Sequence, residues 1–163
     1  MLLNETLTVV KGTFFPNLHG MKEIHNPPMS IFRTYMPDIA AFVEDKAKPG
    51  ESVICTGKIS HSGQSANLPQ FEYMKTILPK EQWGDVKMTL PAPEWYHMRY
   101  REGEAYSKDA YTNDKDYFHD IAVAYQKELE ILYNAGLRNV QIDDPNFSCE
   151  FLETTGYLAL TAC

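Results

Sequence analysis

Asn139-Val140-Gln141-Ile142-Asp143-Asp144-Pro145 decides how the chain is read. The short apolar run of Val140 and Ile142 follows a long helical pattern and a glycine, and two carboxylates and a proline end it at once. That is the pattern of a buried parallel strand that delivers Asp143 and Asp144 to its C-terminal edge. Ligands of barrels and open α/β sheets bind at that edge. The bland alternative is that either aspartate caps a helix or shapes a turn.

Upstream of this strand the periodicity is helical. Phe118, Ile121, Ala122, Tyr125, Leu129, Leu132 and Tyr133 form an apolar stripe within 116–135, with Lys127, Glu128 and Glu130 assigned to water. Asn113 or Asp114 caps the start, and Gly136 suits the end. Before this helix, Arg101 to Asn113 reads as a tyrosine-bearing loop that covers something.

Two earlier strands are expected. Ser52–Ile59 is one, with Gly57 marking a bend or a close backbone approach. Lys58 beside it is placed to hold an anionic group, or is a solvated lysine. Asp85–Leu90 is the other, and alternates polar and apolar residues. Between them lie a polar loop, His61 to Asn67, and a short helix, Leu68 to Leu78, with Phe71, Met74, Ile77 and Leu78 on its core face.

After the second strand come Pro91-Ala92-Pro93-Glu94-Trp95-Tyr96-His97-Met98-Arg99-Tyr100. This mixture suits a site, with rings to wall a flat ligand, Arg99 to clamp an anion, and Glu94 or His97 to act as acid, base or hydrogen-bond partner. It suits a rigid loop with buried rings equally well. Nearer the start, 37–47 reads as a helix, residues 7–10 and 13–15 as a hairpin, and 16–28 as a loop in which His19 and His25 are ligands or plain surface residues.

The 163 residues suffice for one sizeable core. A formal charge of −7 and the absence of a basic run argue against nucleic acid as a partner. No apolar run is long enough for a bilayer, and the start lacks the basic and apolar regions of a signal peptide. Three cysteines, Cys55, Cys149 and Cys163, do not make a disulfide framework, so the reading is a cytoplasmic protein. Cys55 reads as a small buried apolar residue.

Three ordered motifs carry a resemblance. They are Val53–Ile59, Met88–Tyr100 and Leu132–Pro145. Together they resemble the cobalamin-independent methionine synthase family, in particular its single-domain branch, which is similar to the C-terminal catalytic half of the full enzyme. The wider superfamily includes uroporphyrinogen decarboxylase.

The resemblance implies a (β/α)8 TIM barrel. It also implies zinc-dependent methyl transfer from methyl-tetrahydrofolate to the thiolate of homocysteine. In that family the aspartate of Gln-Ile-Asp helps to hold the amino group of the amino acid, a position that matches Asp143. Asp144 stands where the full synthases often carry glutamate. Around the second strand the match is to the family's pterin-side wall, which makes Trp95, His97 and Arg99 candidates without an assigned role, beside Glu94 as a substrate-binding candidate.

The family's zinc ligands include a His-x-Cys pair, and this chain has none. The expectation is therefore an incomplete barrel over 1–146, with about half of the strands, and a divergent tail over 147–163. Parallel strands should lie near 52–59, 86–90 and 139–143. Such a chain binds no stoichiometric zinc, is inactive by itself, and is marginal in stability: self-associating through open sheet edges, aggregating, or needing a partner. The alternatives are a non-catalytic fragment or subunit-pairing segment, and a uroporphyrinogen-decarboxylase-like enzyme.

Overall fold

A computed structural model describes residues 17–25, 27–33, 51–98, 100–144, 151–154 and 157–160. The expected hairpin near the start, the helix at 37–47, Arg99, Cys149 and Cys163 lie outside them. The chain is a small α/β fold. Strands β1 (Leu18–His25) and β2 (Glu51–His61) pair with each other. Helix α1 (Leu68–Ile77), strand β3 (Lys87–Pro91), helix α2 (Asp114–Asn134) and strand β4 (Asn139–Asp143) follow. Strands β5 (Phe151–Thr154) and β6 (Tyr157–Leu160) form an antiparallel hairpin.

The incomplete TIM barrel is not what forms. The described strands make separate two-stranded sheets rather than one continuous parallel sheet. β2, expected beside β3, is instead antiparallel to β1, in a stretch read as loop. Gly20 explains why β1 was missed. Its φ is 82°, and the register jumps from His19↔Ser60 to Met21↔Cys55. A bulge of this kind breaks the alternation by which strands are recognised. A Cβ at position 20 would collide with the carbonyl oxygens of Gly57 and Lys58. The close backbone approach expected at Gly57 is thus made by Gly20.

The β3–β4 pair is parallel, as its sequence suggests. Lys87 pairs with Asn139, Thr89 with Gln141, and Pro91 with Asp143. Helix α2 makes the crossover. Asn113 caps it, its side chain accepting from the Asp116 N–H at 3.0 Å. At the other end Gly136 takes φ 111°. Its N–H donates to Tyr133 O, and the Leu137 N–H donates to Leu132 O, each at 3.0 Å. This is the Schellman arrangement, with Leu137 packed in one cluster with Leu132.

The buried face of α2 differs from the stripe read in the sequence. Tyr117, Ile121, Ala124, Tyr125, Glu128 and Leu132 are inside, whereas Phe118 and Tyr133 are exposed. The true spacing runs through Glu128, a residue that charge alone assigned to water. On α1 only Phe71 is fully buried, and Ile77 is exposed. β4 also departs from expectation, since every residue along it is exposed. Met88 and Leu90 of β3 are buried, Met88 in a cluster with Phe71, Leu132 and Leu137, while β4 lies at the margin of that cover.

The larger core is tyrosine-rich and lies among β1, β2, the 100–111 segment and α2. That segment does cover something, as its loop reading implied. The Cys55 N–H donates to Ala105 O at 3.2 Å, and the Ser107 N–H donates to Cys55 O at 2.8 Å. Rings supply the apolar bulk, and several of their hydroxyls find hydrogen-bond partners. Tyr111 donates to Asp120 at 2.7 Å, Tyr117 to Tyr96 O at 2.8 Å, and Tyr125 to Pro91 O at 2.9 Å.

Candidate functional site

Parallel pairing puts the C-terminal ends of β3 and β4 side by side. Pro91 stands opposite Asp143, and the Ala92 N–H donates to Asp143 O at 3.1 Å. Directly after this contact a 3₁₀ turn, Pro93–Tyr96, presents Glu94 and Trp95, both half-buried. The prolines fix the exit from the strand, and the Glu94 carbonyl accepts from the N–H groups of His97 and Met98, each at 2.9 Å. Two of the sequence motifs therefore meet at one edge.

On the face of this sheet away from Met88 and Leu90, polar side chains form a chain. Lys87 Nζ donates to Gln141 Oε1 at 2.7 Å, and Gln141 Nε2 donates to Asp143 Oδ1. The amide thus orients an exposed carboxylate, which suits it to receive an ammonium group. Asp144, next in sequence, is half-buried.

His97 goes elsewhere. Its ring packs on Phe118, 5.0 Å between centroids, and its Nε2 lies 3.4 Å from Asp114 Oδ1 in the first turn of α2. Tyr106 donates to the same Asp114 oxygen. Burial pushes the imidazole below its usual range, against the pull of Asp114 and with the help of Arg33. The group is a neutral imidazole beside a carboxylate, able to accept a proton or a hydrogen bond. Lys58 stands on the other sheet, its ammonium 3.9 Å from the centroid of the Tyr111 ring. Of the expected site residues, Glu94 and Trp95 follow the end of β3 and Asp143 and Asp144 the end of β4, so their backbones share one sheet edge, whereas the His97 ring packs on α2 and Lys58 lies on the other sheet.

A second polar cluster escaped sequence reading. Glu128 is fully buried, and His61 nearly so. Glu128 Oε1 accepts from Ser65 Oγ and Asn67 Nδ2, each at 2.7 Å, and Oε2 lies 3.0 Å from His61 Nε2. His61 Nδ1 accepts from the Gly63 N–H at 3.0 Å, so the proton sits on Nε2 and is donated to Glu128. Ser65 Oγ also accepts from the N–H groups of Asn67 and Leu68, at the start of α1. The cluster ties the 61–67 loop to α2. The signal for it was the polar composition of that loop opposite a carboxylate at a core spacing.

The zinc implied by the resemblance finds no fitting donor set among the described residues, where no group of three or more His, Cys, Asp or Glu converges. Cys55 is fully buried, its Sγ donates to Gly57 O at 3.0 Å, and burial pushes the thiol up to about 11. A protonated thiol of this kind is a poor metal ligand. Among the described residues no helix is long and apolar enough to cross a membrane.

Comparison with known proteins finds no matching family and no matching solved structure. The chain is similar to two proteins of Bacillus subtilis (strain 168), both described as uncharacterized. It is 32% identical to YxjH over 100 residues, which is 61% of this chain and 24% of YxjH. It is 35% identical to YxjG over 123 residues, which is 74% of this chain and 29% of YxjG. The chain thus spans well under half the length of the curated relatives it matches.

Proposed function

We propose that the chain carries the ligand-holding edge of a methyltransferase similar to cobalamin-independent methionine synthase, and does not complete methyl transfer alone. The observation that supports this reading is the juxtaposition of the two motifs, Pro91–Trp95 and Gln141–Asp144, by in-register parallel pairing. Asp143 receives the amino group of homocysteine, held in place through Gln141 and Lys87. Trp95 offers a ring on which the flat pterin of methyl-tetrahydrofolate stacks. With the Cys55 thiol protonated and buried, nothing among the described residues holds the substrate sulfur as thiolate.

A second reading, a non-catalytic segment that pairs with another subunit, is favoured by the exposure of Val140 and Ile142.

Calorimetric titration of homocysteine into the full chain tests the first reading. Loss of a charge-assisted hydrogen bond is worth about 1.5–3 kcal/mol, so Asp143→Asn should weaken binding by roughly tenfold to a hundredfold. Absence of saturable binding by the unaltered chain, or equal binding by both, overturns it.

A further inference from the structure

β4 pairs with β3 along one edge, and among the described residues its other edge has no partner strand. The direction of its peptides follows from one bond. Asp143 O accepts from the Ala92 N–H just past the end of β3, so Asn139, Gln141 and Asp143 turn their backbone groups towards β3, and Val140 and Ile142 turn theirs to the open edge. The Val140 and Ile142 side chains are also exposed, 37% and 42%, on the same side of the sheet as the buried Met88 and Leu90. An open edge with apolar side chains at both outward-turned positions is a template for another strand.

We propose that a second copy of this chain occupies that edge, β4 pairing antiparallel with β4 across a twofold axis at Gln141. This pairing does not depend on the ligand reading above. The sequence of the strand is self-complementary about that centre. With Gln141 opposite its own copy, Val140 faces Ile142 of the second copy, Asn139 faces Asp143, and Arg138 faces Asp144.

Each level of the pairing is consistent. The Val140–Ile142 pairs have their backbone groups turned outward, so they form the hydrogen-bonded pairs of an antiparallel ladder, and Gln141 forms the non-bonded pair between them. On one face, valine packs on isoleucine. On the other, an amide meets a carboxylate. At each end a guanidinium meets a carboxylate. Arg138 spends Nη1 on its own Tyr133 and Leu137 carbonyls. A guanidinium has five donors, so others are left for the second copy. A register centred on Val140 or Ile142 keeps one apolar pair instead of two and loses the Arg138–Asp144 match, and a slip of one residue sets apolar side chains against polar ones. The product is a four-stranded sheet, β3–β4–β4–β3, closed by its own symmetry.

Sedimentation of the full chain over a range of concentrations, with charge reversals, tests the proposal. A monomer–dimer equilibrium is expected. Arg138→Glu alone and Asp144→Arg alone should each weaken it by at least about tenfold, the lower range for a close interfacial charge pair. The two together should restore it, because they swap the charges and keep the match. In the unaltered chain, the amides of Val140 and Ile142 should gain protection from hydrogen exchange as concentration rises. A monomer at every concentration, an association indifferent to both reversals, or exchange at those amides independent of concentration overturns the pairing.

Discussion

Replacing Glu128 with alanine should be among the most damaging single changes in this chain. The carboxylate is fully buried and accepts from Ser65 and Asn67 at 2.7 Å and from His61 at 3.0 Å. Removing it leaves three buried donors facing an apolar gap. A hydrogen bond to a charged group is worth about 1.5–3 kcal/mol, but the sum overshoots, because the variant also escapes the cost of burying the carboxylate. Breaking a buried charged network by deleting one member costs about 3–5 kcal/mol. That is a large part of a domain's usual margin of about 5–15 kcal/mol. Glu128→Gln is the more discriminating variant. Its amide can still accept from Ser65 and Asn67, but its NH2 then meets His61 Nε2–H, donor against donor. His61 cannot escape by moving its proton to Nδ1, because Gly63 N–H already points there. The glutamine variant should therefore lose roughly 1–3 kcal/mol. Urea denaturation followed by circular dichroism measures both. A loss within about 0.5 kcal/mol for the alanine variant, as for an ordinary surface change, would refute the account of this cluster.

Other outcomes follow from single positions. Gly20→Ala forces a Cβ into the Gly57 and Lys58 carbonyls at a positive φ, so it should cost more than the roughly 1–2 kcal/mol of left-handed backbone alone; thermal melting would check this. His97 is held below the ordinary imidazole value of 6.5, chiefly by burial. The unfolded chain takes up a proton that the folded chain refuses, so stability present above pH 6.5 is lost as pH falls through the lowered folded value. His97→Gln should flatten that part of the stability profile, and an unchanged slope would contradict the burial argument. Cys55, its thiol raised to about 11, should resist iodoacetamide at pH near 8 in the folded chain and react once urea unfolds it, as peptide mass spectrometry would report.

The parts of the fold set by neighbours in sequence were legible. Asn113 caps α2 and Gly136 closes it, because both act on peptide groups within one turn. The β3–β4 pair was legible because a single helix separates two short apolar runs, which leaves parallel pairing as the natural result. The partner of β2 was not. Strand pairing is a non-local choice, and β1 hides behind a bulge at Gly20 and a run of half-wet residues. The barrel expectation followed from motif likeness, and motifs report strand ends more faithfully than they report which strands adjoin. Glu128 was misplaced because charge was weighed above spacing. Its position between Tyr125 and Leu132 on the inner face was visible, but the donors that make its burial tolerable come from residues 61–67, on the far side of the fold. The sequence set Asp143 at the end of a strand and Trp95 in the turn after another, which is where β4 and the 3₁₀ turn after β3 carry them. The pairing of His97 with Asp114 was not, since it depends on where the first turn of α2 lands.

The central claim is that ligand is held where the ends of β3 and β4 meet. Backbone amide shifts recorded during titration with homocysteine, then with methyl-tetrahydrofolate, test it most directly. The largest changes should fall on Ala92, Glu94 and Trp95 and on Gln141 to Asp144, and Asp143→Asn should move those caused by homocysteine to roughly tenfold to a hundredfold higher concentration. Changes centred instead on Lys58 and Tyr111, or none at either edge, would contradict it.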